Sequence, residues 1–182
     1  MHHVPTDKRA RKSAELIYDA LLTCLEEKSF DQITVSDLQR ASGVARSTFY
    51  RAFDNASDVL SWKCEASFNE ALSSFKPLDF TNEAVVAQRF FAYWVAHSEI
   101  LELLTRIDRT DIVFASHLRS AELLQERFGK LPRLTEVQGK YFIAIRTGML
   151  MSVLNVWMQG GRKESPQELV AMLRSQLAML AS

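Results

Sequence analysis

Cysteine occurs only twice in the 182 residues, at Cys24 and Cys64, with no C-x-x-C pairing. A disulfide framework and a cysteine-based zinc site both lack the residues they need, and a reducing compartment is expected. Glycine and proline are scarce, with 6 and 4 copies, which leaves little for β-turns or for a disordered chain. Neither sign of charge dominates, because Lys plus Arg and Asp plus Glu both number 22. Net charge therefore says nothing of a nucleic-acid partner, and only the distribution of charge can. Long hydrophobic runs are missing as well. The longest uncharged stretch, Thr147 to Gly161, falls short of the roughly 20 residues of a membrane-spanning helix, and the N-terminus has no apolar signal run. A soluble cytoplasmic protein with no membrane partner is the expectation.

Catalytic signatures are missing too. There is no G-x-S-x-G, Walker loop, Rossmann glycine pattern or H-E-x-x-H, and His97 and His117 fall on different predicted helices. The carboxylates lie along solvent faces at helical spacing. The expectation is a protein that is not an enzyme and has no metal site and no cofactor.

What is present is helix. With 47% apolar and 24% charged residues, the chain is long enough for one compact body, or for a small domain sharing its first helices with a larger one. From Lys8 to about Lys28 the residues Leu16, Ile17, Ala20, Leu21, Cys24 and Leu25 repeat at three and four, one stripe of an amphipathic helix. Cys24 and Cys64 read as small core residues. Thr34 and Asp37 have the spacing of a capping box, with Ile33 and Leu38 as a hydrophobic staple, so a short helix begins at Val35. It ends near Ser42, where Gly43 can take the left-handed conformation.

A second short helix follows from about Ala45 to Phe53, with Ala45, Phe49, Ala52 and Phe53 on a packing face and Arg46, Ser47, Tyr50 and Arg51 on the other. Asn55 and Asp58 open the next helix, whose stripe of Leu60, Cys64, Phe68, Leu72 and Phe75 runs to a break at Pro77. Further helices are expected at Glu83 to Ala96, at Glu99 to Arg106 behind Ser98, and at Asp111 to Phe128, stopped by Gly129 and Pro132. Two more are opened by Thr135 with Gln138 and by Ser165, Pro166 and Glu168. That makes an all-α chain of about nine helices.

Two short helices joined through a glycine turn form a helix-turn-helix, whose second helix fits the major groove. Arg can grip guanine with two hydrogen bonds, and Ser or Thr can meet either kind of base edge. Two short acid-free stretches, Lys8 to Lys12 and Arg40 to Phe53, could lie along phosphates.

The residues Phe30 to Leu38 (FDQITVSDL), Ser42 to Arg51 (SGVARSTFYR), Phe53-Asp54-Asn55 and Asp58-Val59-Leu60 closely resemble the DNA-binding region of the TetR/AcrR family of bacterial transcriptional regulators. The resemblance implies a three-helix helix-turn-helix domain over residues 1–54 and a helical ligand-sensing and dimerisation domain over 55–182. It implies a repressor, released from a palindromic double-stranded DNA operator by a small-molecule effector. Tyr50 matches the family's phosphate-contacting tyrosine, Gly43 its turn glycine and Thr34 its capping threonine, while Arg46 and Ser47 take the variable base-reading positions. The DNA-facing set is Lys8, Arg9, Lys12, Thr34, Val44, Ala45, Arg46, Ser47, Thr48, Tyr50 and Arg51. Three positions depart from the family pattern. Ala52 stands where a polar or aromatic residue is common, Ala56 where a lysine usually reaches a phosphate, and Gln39 where a small residue lets the two helices approach.

The segment Val156 to Gly161, with Glu164 to Leu169 after it, resembles the end of a common C-terminal type in the same family. The uncharged helix Thr147 to Gln159 calls for burial on more than one side, and Ala144, Gly148 and Ser152 leave a smooth strip. With the stripe Leu169, Met172, Leu173, Leu177 and Leu180 these features fit a homodimer through the last two helices; completion of a monomeric core is the alternative. Phe90, Tyr93, Trp94, Phe114 and Phe142, with His97, His117 and Arg146 as polar anchors, are either plain core or the lining of an apolar effector pocket. An adaptor working through protein contacts and a helical carrier or enzyme remain competing readings.

Overall fold

The structure, a computed structural model, describes residues 2–5, 7–73, 75, 82–128 and 135–180. Among them are nine α-helices and no strand: α1 Lys8–Glu27, α2 Val35–Ser42, α3 Arg46–Ala52, α4 Ala56–Ser73, α5 Glu83–Ala96, α6 Glu99–Arg106, α7 Thr110–Phe128, α8 Glu136–Gln159 and α9 Pro166–Leu180. A single 3-10 turn, Phe30–Gln32, joins α1 to the start of α2. Pro77, Gly129 and Pro132, expected as helix stops, lie outside the described residues.

Local side-chain chemistry sets the helix starts. Asp7 Oδ1 accepts from the N–H groups of Arg9 and Ala10 at 3.0 and 2.9 Å, a cap that the sequence reading did not include. The boxes at Thr34 and Thr135 both close reciprocally. At α9 the Glu168 carboxylate accepts from the Ser165 N–H at 2.7 Å while the Ser165 hydroxyl accepts from the Glu168 N–H at 3.3 Å. Asn55 accepts from the Asp58 N–H at 3.1 Å, and Asp58 accepts from the Asp54 N–H at 3.0 Å. Such caps satisfy amide groups that a helix start leaves without partners. Ser98 departs from its expected role. It makes no side-chain cap to α6; its hydroxyl donates to Glu102 at 2.5 Å, and Arg162 binds both residues.

The chain divides into two compact units, Met1–Cys64 and Glu65–Ser182, with the division inside α4. In the first, α1 packs on α2 and α3, burying Ile17, Leu21, Leu38, Phe49, Phe53, Val59 and Leu60 completely. Each is worth roughly 1.5–3 kcal/mol in removed apolar surface. Leu16, expected on the buried stripe of α1, is exposed instead, and Cys24 is only half-buried. The stripe is narrower than its spacing suggested: α2 and α3 pack along it, while Lys63 of α4 reaches α1 at Glu15 and Tyr18.

In the second unit α7 packs on α6 and α8, and α9 packs on α5 and α8. The stripe expected along α4 is buried, at Leu60 and Cys64 in the first unit and at Phe68 and Leu72 in the second, and Phe75 is buried just past the end of the helix. By length and composition α8 could cross a membrane, as core helices also can. One of its faces, including Ile143, Thr147, Leu150, Leu154 and Trp157, is buried, while Val137, Tyr141, Ile145 and Val156 on another side are exposed. Within a single chain the uncharged half of α8 is therefore covered on one side. On α9, Leu169 is buried, whereas Met172 and Leu177 are exposed; the Leu180 side chain lies outside the described residues.

Candidate nucleic-acid interface

The turn between α2 and α3 is made by Gly43, whose φ of 67° lies in the left-handed region that favours glycine. Its N–H closes on the Gln39 carbonyl at 3.0 Å. Just upstream, Asp37 organises the start of α2. Its carboxylate accepts from the Thr34 N–H at 3.0 Å, the Thr34 hydroxyl at 2.8 Å, Lys28 Nζ at 2.9 Å and the Arg40 guanidinium at 2.8 Å. Lys28 follows the last residue of α1, so this one carboxylate ties α1 to α2. The Lys28 hydrogen bond, followed by those from Thr34, holds its pKa far below the usual 3.8. The Thr34 hydroxyl also accepts the Asp37 N–H at 3.2 Å. Its proton and a lone pair are thus both committed to the cap.

Helix α3 shows two faces. Phe49 and Ala52 are buried, and Phe49 lies 5.9 Å from Phe53, which lies 6.0 Å from Trp62. Arg46, Ser47, Tyr50 and Arg51 are exposed, and Val44 and Thr48 are half-buried at the edge. Ala45 does not belong to the packing face assigned to it. It is exposed and stands outside the helix as an N-cap in extended conformation, with no side chain able to cap. Lys8, Arg9, Arg11 and Lys12 are exposed on the first turns of α1 and make no ion pair among the described residues. Cations at a helix N-terminus oppose the macrodipole, so this cluster does not stabilise its own helix.

Residues 17–60 match the model of the bacterial regulatory proteins, tetR family. That segment therefore carries a TetR-type DNA-binding domain. A curated relative, the HTH-type dhaKLM operon transcriptional activator DhaS of Lactococcus lactis subsp. lactis, is 25% identical over 107 residues, 59% of this chain and 49% of DhaS. The chain thus spans about half the length of that relative. Among solved structures, the fatty acid degradation regulator FadR from Bacillus halodurans superposes with a TM-score of 0.53 at 23% identity, covering 91% of this chain and 94% of that one. The TetR transcriptional regulator from Streptococcus agalactiae gives 0.55 at 17% identity, covering 91% and 93%. At these identities the two structures speak for the shared fold alone.

The three departures from the TetR pattern have structural consequences. Ala52 is buried and Ala56 is half-buried at the start of α4, so neither presents a polar group. Gln39 leaves its Nε2 buried with no hydrogen-bond partner among the described residues. The helix pair nevertheless forms around Gly43.

In the second unit the eight candidate pocket residues fall into several groups, the largest around Phe90, Trp94 and His117. Phe90, Trp94 and His117 pack with Phe68, whose ring centroid lies 4.7 Å from that of Trp94 and 4.9 Å from that of His117. His117 Nδ1 lies 2.9 Å from the Thr147 hydroxyl, and burial, aided by the charge of Arg146, pushes its pKa down to about 3. It is a neutral core histidine. Around it Trp94 Nε1, Ser116 Oγ and Ser120 Oγ are buried without partners among the described residues, a signal missed in the sequence because serine spacing alone does not reveal burial. Tyr93 and His97 pair with centroids 4.7 Å apart, and the Tyr93 hydroxyl donates to Glu70 at 3.3 Å. Burial pushes the Tyr93 pKa up to about 12. Arg146 lies over Phe142 at 5.3 Å, and Phe114 is exposed at a separate cleft with Thr105, Thr110, Gly148, Ser152 and Asn155.

Proposed function

We propose that this chain is a cytoplasmic transcriptional regulator that binds a palindromic double-stranded DNA operator as a homodimer and responds to a small-molecule effector. The observation that carries the reading is α3: Arg46, Ser47, Tyr50 and Arg51 stand exposed on a helix whose other face is anchored by fully buried Phe49. Arg46, Ser47 and Thr48 read base edges, while Tyr50, Arg51 and the cluster Lys8, Arg9 and Lys12 hold phosphates, with Val44 and Ala45 at the groove edge. Thr34 serves this interface by fixing the start of α2, since its hydroxyl is already engaged.

Two recognition helices set roughly 34–36 Å apart would enter successive major grooves. The exposed apolar residues of α8 and α9, among them Tyr141, Ile145, Val156 and Met172, supply the seam between the two copies. Effector binding in the second unit alters half-site spacing through a coupling of typically about 1 to 3 kcal/mol. Repression is the sign assigned here, although DhaS is named an activator, and a promoter–reporter fusion decides between them.

Mobility shift with the DNA upstream of the protein's own coding region tests the reading. Specific, salt-sensitive retardation is expected, and its loss in the doubly substituted Arg46→Ala, Tyr50→Ala protein. If that variant keeps its cellular function, the chain acts through protein contacts instead.

A further inference from the structure

Helix α2 ends on left-handed Gly43, a common way to turn amide groups back onto the last carbonyls of a helix. Helix α3 ends differently. Its C-cap Phe53 is extended, with φ −143° and ψ 140°, so the chain leads straight away from the helix. The Phe53 N–H closes on the Phe49 carbonyl at 2.8 Å, and the next amide, that of Asp54, donates forward to Asp58 at 3.0 Å. The last carbonyls of a helix have no partner within it. For Ala52 the partner comes from far back in the sequence: the His3 N–H reaches its carbonyl at 2.7 Å.

A second contact joins the same two segments. His3 Nε2 stands 3.7 Å from Asp54 Oδ2, an ion pair whenever the imidazole is protonated. Both side chains are more than half exposed, so water screens the pair and it contributes little. The backbone bond is better shielded, since Ala52 is buried and His2 and Val4, on either side of His3, are half-buried. Helix α3 has only seven residues, about two turns, too few to hold their shape in isolation. Its last turn carries Tyr50 and Arg51 on the exposed side. Lys8, Arg9 and Lys12 begin a few residues after the contact, so this arm joins the end of the exposed helix to the basic cluster.

We propose that residues 2–5 form a clasp on α3, and that His3, through its backbone N–H, is a positioning residue for DNA recognition. The clasp fixes the last turn of α3, and with it Tyr50 and Arg51, while touching no DNA itself. Sequence-specific binding requires that turn in one place and gains from the clasp. Binding to arbitrary DNA, carried by phosphate contacts, does not. The inference rests on the regulator reading and adds to it a segment that no motif or spacing singles out.

The test compares His3→Pro, which removes the N–H, with His3→Ala, which keeps it and removes only the imidazole. Mobility shifts use the DNA upstream of the protein's own coding region and a random-sequence duplex of equal length. His3→Pro should bind the upstream DNA about two- to tenfold more weakly, the effect of losing one hydrogen bond. Its affinity for the random duplex and its salt slope should not change, and His3→Ala should match the wild type. Amide exchange on the isotope-labelled full chain reads the clasp without DNA. The His3 amide should be protected at least about tenfold over an unstructured chain, and the Phe53 amide should exchange faster in His3→Pro. A freely exchanging His3 amide, undiminished affinity of His3→Pro for the upstream DNA, or equal weakening by His3→Ala would overturn the proposal. So would a shallower salt slope in His3→Pro, which would place the arm on phosphates. A wild-type chain with no preference for the upstream DNA would sink the regulator reading, while exchange at His3, which needs neither DNA nor a folded variant, still decides whether the clasp forms.

Discussion

Arg46 carries its guanidinium over the ring of Tyr50, 5.5 Å from the centroid, on the exposed side of α3. A cation–π interaction at an exposed site contributes about 0.5–1 kcal/mol, enough to bias the arginine toward one orientation before DNA arrives. The two residues therefore have separable roles. Tyr50→Phe keeps the ring but removes the hydroxyl, so affinity should fall by a similar factor for operator and mismatched DNA. Arg46→Ala should instead relax discrimination at one base pair, by about 1–3 kcal/mol. Titrations on operator and single-mismatch duplexes check both; a changed base preference in Tyr50→Phe would reverse the assignment.

Lys8 lies in the first turn of α1, where a positive charge opposes the helix dipole. Its replacement should move two properties in opposite directions. Lys8→Gln should stabilise the fold slightly, by at most about 1 kcal/mol. The slope of log affinity against log salt should become shallower by about 0.9 for each phosphate that is no longer neutralised. Thermal melts and titrations at several salt concentrations measure both. An unchanged slope would remove Lys8 from the interface.

Gln39 buries an amide nitrogen with no partner among the described residues, a situation that costs about 1–3 kcal/mol. Gln39→Ala removes that group and introduces the best helix former. The variant should be more stable by about 1 kcal/mol, raising Tm by about 2–4 °C for a chain of this size. A lower melting temperature would mean that the side chain fills space α2 needs.

Local signals in the sequence carried the fold far. The box Thr34/Asp37 and the pair Ser165/Glu168 operate over three residues, so spacing alone reveals them. The two faces of α3 follow from the helical period, apart from Ala45, where the helix begins one residue late. The bond from Lys28 to Asp37 crosses from one helix to the next, and nothing in the spacing announces it. The grouping of the pocket candidates was hidden for a related reason: an apolar stripe predicts burial, and which buried residues share a space depends on how α4, α5, α7 and α8 pack.

His117 has its pKa lowered from 6.5 to about 3, chiefly by burial. Between these values the unfolded chain holds a proton that the folded chain does not, so stability falls as pH falls. His117 alone contributes a slope of about 1.4 kcal/mol per pH unit in this range. Denaturant unfolding from about pH 7 to pH 5, above the range where Asp37 and the other lowered carboxylates contribute, should show a slope that His117→Gln reduces, whatever the variant's stability at neutral pH. Equal slopes would mean that the imidazole is protonated in the fold and reaches a partner.

Tyr141, Ile145 and Val156 are 68, 59 and 69% exposed on α8. Apolar surface of this kind on a helix with few charges is a candidate site for protein association, and the proposed seam places it between two copies. Ile145→Arg puts a charge there without disturbing the buried face of Ile143, Thr147 and Leu150. The variant should keep its helix content and sediment as a monomer. Its operator affinity should fall by about 10²–10⁴, because two linked half-site interactions become independent. Retained dimer with retained DNA binding would place the seam elsewhere; a monomer that still binds the full operator as tightly would show that dimerisation does not set half-site spacing.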